Sequence, residues 1–352
     1  MIMTNPCNSE LKQLIDSVLR INLTAAFFRY PHETEVHVVA QKSAEESTFH
    51  TLDDIDTYGF VVAPFNSSAD GLPTVVIRPD ITDFTALKCF LNETKTTFAP
   101  SKSIQTVDVD KQGYLRMFQD VTSQFGADVQ KVVLARSITK KLQCSVPELF
   151  MELLGDCADR MVCLVHTPST GTWLCATPEL LLSGDNGNYA TMALAGTRRN
   201  EGSAAWDNKN IAEHEVVCLH FDERLSGCSN VQHSAHYTID FGILQHLRTD
   251  YTFHADNIAP QRLAANLHPT PAVCGRPVDK TMKVIDTYEL TNRAYYSGII
   301  GMLSEKSCRL FINLRCAYVH DGQITTFAGG GLMPDSEAES EWRETEMKML
   351  FG

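Results

Sequence analysis

Glu341, Glu344 and Lys348 are spaced by three and then four residues, the steps that bring helical side chains onto one face. Just ahead of them stand the glycine run Gly329-Gly330-Gly331 and the polar break Pro334-Asp335-Ser336. Carboxylates can hold a divalent cation, an ammonium attracts an anion, and backbone N–H groups in a glycine-rich turn can point at one. Together they describe a site for an acidic ligand held partly through a metal ion. The same residues also read as a solvated, Glu-rich helix with an ordinary i,i+4 ion pair.

Four further segments set reactive groups among apolar neighbours. Lys131 heads the run Lys131-Val-Val-Leu-Ala-Arg-Ser-Ile138. Desolvation lowers the pKa of a lysine, and such an amine serves as a general base; a strand-edge lysine in solvent is the competing reading. Glu179 lies between Pro178 and Leu180-Leu-Leu182. An apolar setting holds a carboxyl protonated and suits it to act as a general acid, while an outward-facing Glu at a strand start fits the pattern too. Glu213-His-Glu215 offers a carboxylate for magnesium, which takes a few carboxylates together with waters and substrate oxygens. Zinc is not expected, because His214 and His220 lack i,i+4 spacing and His233-x-x-His236 has no Cys or Glu partners nearby. Arg315 sits within Leu310-Phe-Ile-Asn-Leu-Arg-Cys316, read as a core strand. A buried guanidinium calls for an anion, either a ligand carboxylate or an internal Asp or Glu.

The elements that must position these groups follow from periodicity. Tyr58–Pro64 and Thr74–Arg78 are β-rich runs around the turn-rich Asn66–Gly71, and a loop is expected over Asn92–Thr106. Tyr114, Met117, Phe118, Val121 and Phe125 recur at helical spacing up to Gly126. Lys131–Ile138 reads as a buried strand and Pro147–Leu154 as a helix. Strands are expected at Met161–His166, Thr172–Ala176, Glu179–Leu182 and Tyr189–Ala195, the last two joined by a hairpin at Asp185-Asn-Gly187. A helix spans Asn210–Leu225, closed by Gly227. A hairpin from Arg309–Val319 to Gln323–Ala328, turned at Asp321-Gly322, precedes the terminal helix. Many antiparallel hairpins with interspersed helices predict an α+β fold in one large domain, with mostly antiparallel sheets flanked by helices. Residues 1–100 form a strand-rich part of it, and residues 101–352 the rest.

Bulk composition narrows the function. A formal charge of -13 over 352 residues leaves no basic stripe for nucleic acid, and it repels acidic small molecules unless local cations or a metal intervene. The eleven cysteines are scattered, with no C-x-x-C pair, which suits reduced thiols packed as small apolar groups. Met1–Leu14 is polar and no apolar run is long enough to span a bilayer, so the expected setting is soluble and cytoplasmic, without membrane contact. The expected assembly is a monomer or a homodimer. No G-x-S-x-G, Walker lysine loop or dinucleotide glycine fingerprint is present.

Taken in order, these segments resemble the chorismate-utilising enzymes. The resemblance runs from Lys131 to the end. It rests on Lys131–Arg136, Thr177–Leu182, Leu194-Ala-Gly-Thr197, Glu213-His-Glu215, Leu267-His-Pro-Thr-Pro-Ala272, Ile312–Ala317, Phe327–Gly331 and Glu341-Trp-Arg-Glu-Thr345. Three positions resemble the isochorismate synthase branch. Lys131 matches the lysine that activates water there, where ammonia-using anthranilate synthases usually carry glutamine. Ala195 stands where many aminodeoxychorismate synthases have a nucleophilic lysine. His268-Pro-Thr-Pro-Ala272 is similar to the isochorismate synthase version of that motif.

The resemblance implies chorismate as substrate and Mg2+ as cofactor. It implies magnesium on Glu213 and Glu344, with Glu341 close by through water, binding the ring carboxylate. Lys131 would deprotonate water adding at C2, and Glu179 would protonate the departing C4 hydroxyl. Arg315 and Tyr296 would bind the enolpyruvyl carboxylate. The backbones of Gly196, Thr197, Gly329, Gly330 and Gly331, with His268 and Lys348, would complete the substrate pocket. Each oriented charge contact of this kind is worth roughly 2 to 4 kcal/mol. Alternatives are a salicylate synthase, which also eliminates pyruvate, and a catalytically silent chorismate-binding module.

Overall fold

The computed structural model of the chain describes residues 6–67, 71–94, 97–126, 128–202 and 205–350. Parts of the expected Asn66–Gly71 turn and of the Asn92–Thr106 loop, with Phe351 and Gly352, lie outside the described residues.

Two antiparallel sheets form the framework. The first runs in spatial order β14 (Gly275–Arg276), β6 (Lys131–Lys141), β18 (Gln323–Leu332), β17 (Cys316–His320), β8 (Gly171–Thr177), β7 (Met161–Thr167), β1 (Ala25–Arg29), β2 (His37–Ala40). The second runs β11 (Ser229–His233), β13 (Leu244–His254), β10 (Asn188–Arg199), β9 (Leu180–Asp185), β16 (Ser307–Ile312), β15 (Ile299–Leu303), β4 (Gly59–Ala63), β5 (Thr74–Ile77), β3 (Ser47–Phe49). β12 (Tyr237–Phe241) also pairs with β13.

Alternation along the strands sorts side chains into layers. Ala26 and Phe28 of β1 join Phe60 and Val62 of β4 in a core between the two sheets. Phe27, between the first two, instead packs outward with the helices α1 (Asn8–Arg20) and α4 (Val146–Asp156), and α2 (Phe84–Glu93) completes that layer. Val61 faces the opposite outer layer, built from α3 (Lys111–Thr122), α5 (Asn208–Arg224), α6 (Pro260–Leu267), α7 (Val278–Tyr288) and α8 (Ala338–Lys348). The result is helix, sheet, sheet, helix, the α+β architecture that the sequence predicts.

Both expected hairpin turns form for the stated reason. Asn186 and Gly187 have φ of 46° and 88°, and Asp321 and Gly322 have 48° and 71°, the paired positive values of a two-residue type I′ turn. Two expectations need correction. Residues 1–100 are not only strands and loops, since α1 and α2 lie there; Leu11, Leu14, Ile15 and Val18 make one buried helical stripe. Arg309–Val319 is not one strand. β16 ends in the second sheet at Ile312 and β17 begins in the first at Cys316, with Arg315 at φ 47° in the crossing. Among the described residues no helix is long and apolar enough to cross a membrane. All eleven cysteines are free.

Candidate active site

Two chain crossings between the sheets lie side by side. β8 ends at Thr177 and β9 begins at Leu180, so Pro178-Glu179 passes from the first sheet to the second. Asn313–Arg315 passes between the same two sheets. Ile312 N donates to Glu179 O at 3.0 Å, Ala176 N to Arg315 O at 3.0 Å, and Thr177 Oγ1 to Ile312 O at 2.6 Å. The carboxyl of Glu179 and the guanidinium of Arg315 are thereby delivered to one cleft of about 640 Å3. Its walls also carry Gly196, Thr197, Glu213, Tyr296, Gly329, Gly331 and Lys348, all from the sequence reading, and His246, which that reading missed.

β18 forms the floor against β6, with Gly329 opposite Ala135 and Gly331 opposite Val133. Its glycines are required by close approach. A Cβ on Gly331 would lie 2.1 Å from Glu213 Oε1 and 2.9 Å from Lys131 Cε, and one on Gly329 would lie 2.9 Å from the Tyr296 hydroxyl. The Cβ direction of Gly330 meets Glu341 Oε2 at 3.2 Å and Glu344 Oε1 at 3.6 Å. Lys131 therefore lies on the face of the strand to which Gly331 points, while Glu341 and Glu344 stand on the side to which Gly330 points.

Each of the three carboxylates has a lysine. Lys131 Nζ is 3.1 Å from Glu213 Oε1, an ion-pair distance at which the ammonium still has no formed hydrogen bond. Lys209 donates to Glu341 Oε1 at 2.6 Å, and Lys348 to Glu344 Oε1 at 2.5 Å and to Gly329 O at 3.3 Å. Burial pushes Glu213 upward, but Lys131, Lys209 and Lys348 outweigh it and hold Glu213 below its ordinary range. Glu341 is raised, first by burial and then by the charge of Glu344. Among the described residues Glu179 has no ion-pair partner. Burial lifts it to about 8 against the opposing pull of Lys131 and Lys348, so it is mostly protonated at neutral pH.

Arg315 is half-buried, its exposed surface facing the cleft, and its guanidinium makes no hydrogen bond or ion pair among the described residues. Burial lowers it to about 10, which still leaves it charged. The anion anticipated for Arg315 is thus not an internal Asp or Glu; the guanidinium is free for a ligand carboxylate. Tyr296 stacks on Phe327 with ring centroids 5.4 Å apart, and burial raises its phenol.

Gly196, at φ 74°, marks a bulge where the register between β10 and β13 slips. The donor expected at Thr197 is already engaged, because Thr197 N donates to Asn210 Oδ1 at 2.9 Å. That asparagine is itself held by Asp207, the cap of α5, and the Thr197 hydroxyl lies 3.3 Å from His246 Nδ1. His246 Nδ1 lies 3.1 Å from Gly196 O. A carbonyl only accepts, so Nδ1 carries the proton and the buried, unpartnered Nε2 presents a lone pair. Burial, Arg315 and Lys348 all keep His246 uncharged. No local pattern in Gln245-His-Leu247 distinguishes it from a core histidine. His268 is a correction: it bonds Ser297 O at 2.9 Å and meets Phe65 edge-on, away from the cleft lining. It supports the His268–Ala272 segment, whose Ala272 does reach the cleft.

The donor set suits a hard divalent ion, with three carboxylates around two adjacent glycines and Glu341 Oε2 buried without a partner. As they stand, no three Glu, Asp, His or Cys side chains among the described residues converge on one point, and each of the three carboxylates is paired with a lysine.

The fold and cleft are those of one enzyme class. A family model described as "Chorismate binding enzyme" matches residues 71–350, and the chain belongs to that family. Among curated relatives it is 29% identical over 279 residues to isochorismate synthase EntC of Escherichia coli K12, covering 72% of this chain and 70% of that one. It is 28% identical over 259 residues to isochorismate synthase MenF of Bacillus subtilis, covering 69% of this chain and 55% of that protein. Its fold is similar to that of the putative 2,3-dihydroxybenzoate-specific isochorismate synthase DhbC from Bacillus anthracis, with TM-score 0.77, 21% identity and 97% of both chains covered. The menaquinone-specific isochorismate synthase MenF of Escherichia coli gives TM-score 0.76 and 20% identity over 92% of this chain and 86% of that one.

Proposed function

We propose that the protein is a Mg2+-dependent isochorismate synthase, converting chorismate to isochorismate for menaquinone or catechol siderophore synthesis. One observation carries the reading. A carboxyl kept protonated, Glu179, shares a cleft with an arginine whose guanidinium has no partner among the described residues, and a fully buried lysine, Lys131, lies beside Gly331 and Glu213 of the same cleft. The isochorismate synthases among the relatives support it.

With the Lys131 amine uncharged at the moment of attack, water adds at C2 of the ring and gives its proton to it. The two ring double bonds each move one place, the C4–O bond breaks, and Glu179 protonates the leaving hydroxyl, so one water enters and one departs. Arg315, with Tyr296, takes the enolpyruvyl carboxylate. Lys348 adds positive charge near the glycine strand, and His246 Nε2 accepts a hydrogen bond from a substrate hydroxyl. Glu213 and Glu344, with Glu341, would hold magnesium, which supplies charge to offset the ring carboxylate. These local cations overcome the -13 background for a dianionic substrate.

Incubation of purified protein with chorismate and MgCl2, followed by chromatography, tests this. Isochorismate as the main product is expected. Salicylate with pyruvate would assign a salicylate synthase, and unreacted chorismate a silent binding module.

A further inference from the structure

The mechanism gives no part to Lys209, a partly buried cation beside the carboxylate cluster. Lys209, in the first turn of α5, donates to Glu341 Oε1 at 2.6 Å and its side chain is only 21% exposed. Glu213 and Glu344 act on it as strongly placed charges alongside Glu341. One ammonium thus lies in the field of all three carboxylates that would hold the divalent ion, and it is ion-paired with the one, Glu341, whose second oxygen has no partner. Ser336 Oγ also donates to Glu341 Oε1 at 2.7 Å. The other oxygen, Oε2, is buried, unpartnered and turned toward Gly330.

We propose that Lys209 is a resident cation of the metal site, holding Glu341 beside Glu213 and Glu344 when no divalent ion is bound and competing with the ion for them. The inference rests on the reading of this cluster as a magnesium site. With Glu213 and Glu344 paired to Lys131 and Lys348, Glu341 crowded beside them is favoured by a positive charge of its own whenever the metal is absent. An ammonium satisfies that need, and any incoming ion then binds against it. Lys209 is a positioning residue in this account. It touches neither substrate nor reacting atoms, yet it sets how tightly the metal is held.

The test is calorimetric titration of MgCl2 into full-length wild type, K209M and K209R, with melting temperatures in EDTA and in excess MgCl2. K209M is expected to bind Mg2+ about tenfold more tightly, about 1.4 kcal/mol. Its melting temperature should drop in EDTA and recover in MgCl2, with K209R lying nearer wild type. If K209M folds only with metal, its affinity is read by chelator competition. Unchanged or weaker Mg2+ binding by K209M overturns the proposal, because a purely structural lysine or a simple clamp on Glu341 would not tighten it. Wild type that binds no Mg2+ refutes the metal reading itself, and this inference with it, a failure distinct from the first.

Discussion

Glu179→Gln separates the chemical role of the carboxyl from its electrostatic cost. Burial lifts Glu179 from 4.5 to about 8. A group at that value is roughly nine-tenths protonated at pH 7 and one-tenth at pH 9. Wild-type kcat/KM, which reports groups of the free enzyme, should therefore fall on the alkaline side with a midpoint near 8. Glutamine fills the same space but donates no acidic proton. It should lower kcat/KM by about 10²- to 10⁴-fold and remove that limb from the residual activity. Stability supplies a second arm. The folded-state pKa is raised, so the native protein holds the proton more tightly than the unfolded chain. That contribution is complete below the unfolded value of 4.5 and is lost as pH rises through about 8. At 1.36 kcal/mol per pH unit its ceiling is about 5 kcal/mol. Glutamine does not titrate, so urea denaturation should find the variant gaining on wild type from pH 5 to about pH 8 and levelling off above that. A limb near 8 that survives in the variant, or a stability difference flat with pH, refutes the reasoning.

Lys131→Met should cost about 10²- to 10⁴-fold in kcat, measured by initial rates of isochorismate formation. Gly331→Ala forces a methyl onto Glu213, 2.1 Å away, and should raise the Mg2+ concentration for half-maximal rate about tenfold or more in a metal titration. Arg315→Met removes the cleft's unpartnered guanidinium; KM for chorismate should rise about tenfold to a hundredfold, with kcat changed less. Glu289→Ala breaks a buried ion pair in which Glu289 bonds Arg293 and Ala135 N while Arg293 reaches Val273 O and Val133 O. It should lose about 3 to 5 kcal/mol in denaturant melts, because it strands the guanidinium beside β6.

Legibility in the sequence followed local periodicity. β6 announced itself as an apolar β-branched run, the two I′ turns by Asn-Gly and Asp-Gly, and α8 by the spacing of Glu341, Glu344 and Lys348. The lysines and carboxylates of the site were visible as residue types, but their pairing was not, since Lys209 and Glu341 meet across 132 positions of chain. The break at Asn313–Arg315 was hidden because both flanking strands are apolar and the crossing has no Gly or Pro. β11 was missed for the opposite reason: all five of its residues are exposed, so it carries no alternating pattern. His246 and Asn210 act through backbone groups of Gly196 and Thr197, contacts that only the folded bulge creates.

The account stands on water entering at C2 while the C4 hydroxyl leaves. Turnover of chorismate with Mg2+ in 18O-enriched water, with products separated by chromatography and weighed by mass spectrometry, tests it most directly. Isochorismate carrying one 18O, in the hydroxyl at C2, is the predicted result. Unlabelled isochorismate, or salicylate with pyruvate in its place, would contradict it.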